Sequence, residues 1–229
     1  MFRSRLPRLY ELRDLIPDLA SPDAYFPADF ETRLMGEPSP LSVFDCWEKK
    51  LQFLDEEAWK ALKNEAAPYL TRRDPRRRWR QLFDILGQVD AYRHLRNIGC
   101  SRIRFIPRSA TRTPDLEGTL DSGRVLCEVK TINISDAEVD ARGKVTSATI
   151  SSQLDDRFIR KLDLAIATAK DQLHTYDPTG DARHLVYCNI KFDDWVGYYE
   201  TYYWRQLDQH LSDHPPGVEV VFREPIDNE

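Results

Sequence analysis

The stretch Thr113–Thr131, TPDLEGTLDSGRVLCEVKT, constrains the fold of this chain more than any other. It reads as two short strands, residues 114–120 and 124–132, joined at the turn residues Asp121-Ser122-Gly123. Side chains alternate along a strand. Glu128 and Lys130 therefore share one face, and Val125, Cys127 and Val129 the other. A loop centred on Asp121-Ser122 sets Asp115 directly opposite Glu128, and Cβ atoms in such cross-strand pairs lie about 5 Å apart. A bulge at Gly123 would slip the register by one residue and undo this facing.

The surrounding pattern extends the hairpin into an α/β chain. Upstream, Phe44, Trp47, Leu51 and Leu54 recur at helical spacing, and a second short helix runs through Trp59 and Leu62 to Pro68. Asp74-Pro75 offers an N-cap and a first-turn proline for a helix whose stripe is Leu82, Ile85, Val89, Tyr92 and Leu95, closed by Gly99. Residues 101–107 make a strand before the hairpin. Downstream come a polar stretch at 132–153, a helix marked by Phe158, Leu162, Ile166 and Leu173, and a strand at 184–190. A helix at 198–211 and a strand at 218–224 complete the pattern. From Asp74 the order is αβββαβ with αβ appended. Residues 1–73 read as an N-terminal extension, irregular to about residue 40 and helical after it, and 74–229 as one domain.

Bulk properties narrow the function classes. With 41% hydrophobic and 31% charged residues in 229, the chain can bury a core. No apolar run approaches the roughly 20 residues of a membrane helix, and the N-terminus has no signal-peptide h-region. Cys46, Cys100, Cys127 and Cys188 stand singly, as reduced thiols of a cytoplasmic protein do. The net charge of −5 argues against a protein that coats nucleic acid. Arg72, Arg73, Arg76, Arg77, Arg78 and Arg80 nevertheless crowd together, either to contact phosphates or as a solvated helix start. The aromatic run Trp195, Tyr198, Tyr199, Tyr202, Tyr203 and Trp204 can stack on bases, but its helical spacing favours packing. His94, His174, His184, His210 and His214 read as structural or surface residues.

Carboxylates held about 4 Å apart repel by roughly 4 kcal/mol at an effective dielectric near 20. A divalent cation removes that penalty, and hard oxygen donors without His or Cys favour Mg²⁺ or Mn²⁺. Lys130 on the same face is placed to orient a water or to neutralise developing charge. Acid, acid and lysine are the parts that phosphodiester hydrolysis needs.

Thr113-Pro114-Asp115 followed by Glu128-Val129-Lys130 resembles the PD-(D/E)xK signature of the nuclease superfamily that includes type II restriction enzymes. The resemblance spans residues 74–190, and that family's αβββαβ core, with its mixed central sheet, matches the order above. It implies a metal-dependent nuclease, a DNA endonuclease in preference to an RNase, possessing a restriction-endonuclease-like core, an N-terminal helical extension and a C-terminal helix–strand addition. Asp115 and Glu128 would bind the metal with the Val129 carbonyl, and Lys130 would serve the attacking water. Gln172 and Tyr176 in QLHTY are similar to the QxxxY element of the RecB-like branch. Cutting both strands of a duplex calls for two sites, hence a homodimer as an option.

The match departs from the family at the first core helix, where active members carry an acid. Two helical turns before Leu95 stands Gln88, with Asp84 one turn earlier on the same face. An inactive nuclease-fold module that binds nucleic acid or a protein is the alternative this leaves open. The bare pattern is not specific: Pro22-Asp23 with Glu48-Lys49-Lys50 also satisfies it, yet Glu48 lies in a helical stripe and cannot be a strand acid.

Overall fold

In the computed structural model the chain divides into two units, Met1–Pro107 and Arg108–Glu229. The residues described are 2–75, 78–108, 112–121, 123–132, 152–190 and 199–222.

The first unit is helical. It contains α1 (Phe2–Arg5), α2 (Pro7–Arg13), α3 (Phe30–Leu34), α4 (Leu41–Leu51), α5 (Glu56–Ala66), α6 (Arg80–Leu86), α7 (Gln88–Asn97) and one strand, β1 (Ser101–Phe105). The first forty residues are less irregular than their Pro- and Asp-rich composition suggests. Leu6, Leu9, Leu12, Phe26, Phe30 and Leu34 are all buried, and that burial stabilises helices too short to persist alone.

Glu48, the lookalike acid, explains part of this. It is 2% exposed on α4 and accepts the backbone N–H of Arg8 at 3.2 Å and of Leu9 at 3.0 Å. Leu6 makes no side-chain cap for α2, so a carboxylate from another helix satisfies the first-turn donors. Lys50 in turn is buried against Asp90 of α7 at 2.8 Å. Glu48 and Lys50 of the lookalike triplet are thus structural.

The helix expected from Asp74 starts later and is interrupted. Asp74 and Arg78 exchange both backbone N–H···O bonds at 2.8 Å instead of opening a helix. Arg78 takes a φ of 50°, and α6 begins only at Arg80. A one-residue interruption at Gly87 separates α6 from α7. The expected stop holds: Gly99 has φ 93°, with Cys100 N–H on the Leu95 carbonyl at 2.9 Å and Gly99 N–H on Arg96 at 3.1 Å. This two-bond closure needs a residue comfortable in the left-handed region.

The second unit is a sheet with helices. Its elements are β2 (Leu116–Leu120), β3 (Gly123–Ile132), α8 (Asp156–Tyr176), β4 (Arg183–Ile190), α9 (Glu200–Asp213) and β5 (Glu219–Phe222). The strands lie in the order β2-β3-β4-β5. β2 is antiparallel to β3, whereas β3–β4 and β4–β5 are parallel, so the sheet is mixed. α8 crosses between the parallel strands β3 and β4 and packs on both. It starts at Asp155, which caps the Arg157 N–H at 2.6 Å. It buries the expected stripe of Phe158, Leu162, Ile166 and Leu173. The chain is therefore α/β, with strands and helices in the expected order. Most of the polar 132–153 stretch lies outside the described residues. Among the described residues no helix is long and apolar enough to cross a membrane.

Candidate active site at the β2–β3 hairpin

The hairpin register is the one the turn residues predict. Leu120 pairs with Gly123 and Leu116 with Cys127, so Asp115, one residue before β2, stands opposite Glu128. Asp121 in the two-residue connection has φ 48°, a conformation Asp tolerates better than most residues. No bulge at Gly123 disturbs the pairing.

The two acids are built in differently. Glu128 is 4% exposed in the middle of β3, which is paired along both edges. Asp115 is half-buried, and its Oδ2 accepts the backbone N–H of Val129 at 2.8 Å. The two carboxyls lie close enough to influence each other's ionisation. Lys130 Nζ donates to Glu128 Oε1 at 2.6 Å. Gln172 Nε2, from α8, donates to Glu128 Oε2 at 2.8 Å and to the Thr113 carbonyl at 2.6 Å. Four sequence-predicted side chains, Asp115, Glu128, Lys130 and Gln172, thus come together.

Val129 has a role the sequence did not suggest. Besides the carbonyl that the resemblance implies as a metal donor, its N–H holds Asp115. Thr113 was not anticipated as an anchor either; a backbone carbonyl leaves no mark in residue type. Tyr176, one turn beyond Gln172, lies under the Arg124 guanidinium at 5.4 Å. Arg124 also bonds Glu117 across the hairpin at 2.9 Å.

Electrostatically the pair is under pressure. Burial and then the Glu128 carboxylate push the Asp115 carboxyl up to about 7, against the opposing pull of the Val129 N–H, Lys130 and Arg108. Burial also raises Glu128, with Lys130 the largest opposing influence. The two groups share proton affinity above the ordinary carboxylate range. Nearby thiols are inert: burial lifts Cys127 well above its usual value and Cys188 to about 12.

The other candidates fall elsewhere. Gln88 and Asp84 belong to the first unit, Gln88 buried at the start of α7 and Asp84 half-buried on α6. Arg72, Arg73 and Arg78 are exposed and Arg80 half-buried, also in the first unit; Arg76 and Arg77 lie outside the described residues. On α9, Tyr203 is buried and Trp204 meets Phe222 of β5 at 5.8 Å, which is packing, while Tyr202 stays exposed. Trp195 and Tyr198 are outside the described residues. His184 bonds Asp177 at 2.9 Å and His210 bonds Asp163 at 2.7 Å, both within the second unit. Among the described residues no group of three or more His, Cys, Asp and Glu side chains gathers as a metal site.

No protein-family model matches this chain, and neither a curated protein nor a solved structure does.

Proposed function

We propose that the Asp115–Glu128–Lys130 cluster hydrolyses phosphodiester bonds with the help of Mg²⁺ or Mn²⁺, and that the chain is a nuclease with a restriction-endonuclease-like core acting on DNA. The observation that carries this reading is the hairpin register that faces Asp115 to Glu128, with Lys130 and Gln172 bonded to the Glu128 carboxylate. Burial beside Glu128 pushes the Asp115 carboxyl up to about 7. A site that retains two mutually repelling acids at a cost in stability suits a cation whose charge relieves the cost.

The donor set fits that ion. Two hard carboxylates without His or Cys, supplemented by a backbone carbonyl at Val129, are what Mg²⁺ takes when water and substrate phosphate complete its shell. Bound there, the ion would supply Lewis-acid polarisation of a phosphoryl oxygen. The residues do the rest. Glu128 is steered by Gln172 and Lys130 onto fixed oxygens. Asp115 is aimed by the Val129 N–H. Lys130, about four-fifths buried, carries a charge that can orient the attacking water and offset negative charge as the P–O bond breaks. Two copies of the site, as in a homodimer, would serve both strands of a duplex.

The second reading, an inactive module binding nucleic acid or a protein, is favoured by Gln88 where active relatives of this type carry an acid. Cleavage of plasmid and single-stranded DNA in Mg²⁺ and Mn²⁺ separates the two. Metal-dependent cutting by wild type and none by the Lys130→Ala/Glu128→Ala double variant is the expected result. No cutting by either, together with no calorimetric Mn²⁺ uptake, would transfer the assignment to the binding module.

A further inference from the structure

The first unit contains a cleft of about 520 Å³ that the hairpin chemistry does not use. One wall is aromatic, made by Trp79 and Tyr25. Tyr25 meets Trp79 at 5.2 Å and Phe83 at 5.6 Å, both edge to face, so its ring is fixed by two aromatic neighbours. Burial alone pushes the Tyr25 hydroxyl up to about 12. Small residues such as Ala20, Pro22 and Ala28, from the same loop as Tyr25, also line the cleft. That loop is tied shut at its base by the Ala28 N–H on the Leu19 carbonyl at 2.9 Å, and Tyr25 is anchored by its own N–H on Leu70 at 2.8 Å.

Charge in the cleft is uneven. Arg33 is neutralised by Asp29, with its Nε 3.0 Å from both carboxylate oxygens. Arg73, on the same cleft, is exposed and forms no ion pair among the described residues. It belongs to the arginine run whose purpose the sequence left open between phosphate contact and solvation. An aromatic corner of two nearly perpendicular rings, one available guanidinium and a volume in the roughly 300–1,000 Å³ range of small-molecule sites suit a planar, anionic guest.

We infer that this cleft binds a nucleobase–phosphate unit, with the base against Trp79 and Tyr25 and the phosphate on Arg73. The unit can come from a free nucleotide or from the strand of a nucleic acid. The inference stands independently of catalysis at Asp115 and Glu128.

The test is isothermal titration calorimetry of the full chain in chelator, where no metal-dependent cleavage occurs, using adenosine 5′-monophosphate and a short single-stranded DNA. Arg73→Ala and Trp79→Leu are compared with wild type, and circular dichroism melting checks that both remain folded. At least tenfold weakening in each variant is expected. If both probes bind wild type in this way the source is the free nucleotide; if only the DNA does, the source is a strand. No binding of either probe overturns the inference. So does weakening by Arg73→Ala alone, since that describes a charge patch without a base site. Because cleavage plays no part, a protein that binds here and never cuts DNA would lose the nuclease reading and keep this one, and the converse holds.

Discussion

Gln172 on α8 donates to Glu128 on β3 at 2.8 Å across a separation of 44 positions. The same nitrogen reaches the Thr113 carbonyl at 2.6 Å, so one amide ties the helix to both arms of the hairpin at the level of the acids. Its two N–H groups serve two acceptors, one on each side of the hairpin.

Gln172→Ala should therefore lower unfolding stability by about 1–2 kcal/mol, the usual worth of such hydrogen bonds, one of them to a carboxylate. Gln172→Glu should cost more at pH 8 than at pH 5, because it adds a third carboxylate beside Glu128. Urea melts at the two pH values measure both. Equal losses at both pH values in the Glu variant would rule out the charge argument.

The Asp115 carboxyl gives a pH signature. Its folded pKa is raised to about 7 from 3.8, so the folded state holds a proton that the unfolded chain has released. The contribution is fully favourable below the unfolded value and is lost as pH rises through about 7. Wild type should lose stability from pH 5 to pH 8 relative to Asp115→Asn, whose amide oxygen still accepts the Val129 N–H. Parallel stability profiles for the two proteins would show that Asp115 ionises normally.

If a divalent ion occupies the pair, Mn²⁺ at pH 8 should raise the melting temperature of wild type and reverse the loss just described. The effect should vanish in Glu128→Ala and on adding chelator. Differential scanning fluorimetry with and without Mn²⁺ reads it directly. An upward shift that survives in Glu128→Ala would place the ion elsewhere.

Glu48 supplies a control at the lookalike motif. Glu48→Ala should cost about 1–3 kcal/mol by exposing the first-turn N–H groups of Arg8 and Leu9 to an empty site. It should leave any nuclease activity per folded molecule unchanged. A specific loss of activity at full folding would mean that the wrong acid has been assigned.

Lys50 and Asp90 test the neighbouring buried pair, only 2.8 Å apart. Asp90→Ala alone should destabilise by about 3–5 kcal/mol because the ammonium is left unpaired, and Lys50→Met added to it should restore much of the loss. Thermal melts of the single and double variants decide between pairing and simple packing.

What was legible in the sequence follows from the range over which each constraint acts. The hairpin register depends on a two-residue turn and strict alternation, both local, and so Asp115 could be set against Glu128 from spacing alone. The stripe of Phe158, Leu162, Ile166 and Leu173 is equally local. The anchors were not. Glu48 meets Arg8 and Leu9 from about forty positions away, and its role is visible only once α4 is folded against α2. Asp74-Pro75 misled because an Asp before a proline serves a helix start and a tight turn equally well, and the Arg78 backbone at φ 50° decided for the turn. Thr113 was silent because it acts through its carbonyl.

The two-residue connection after Leu120 also bears on how this chain can tolerate change in length. Every pair from Leu116↔Cys127 to Leu120↔Gly123 depends on it. One residue inserted within β3 ahead of Glu128 would send that side chain to the opposite face of the sheet, and two would carry it past Asp115. Both acids could survive such an insertion in an alignment while facing one another nowhere in the folded protein. For chains of this design, the distance between the acids along the sequence is therefore as much a part of the site as the acids themselves.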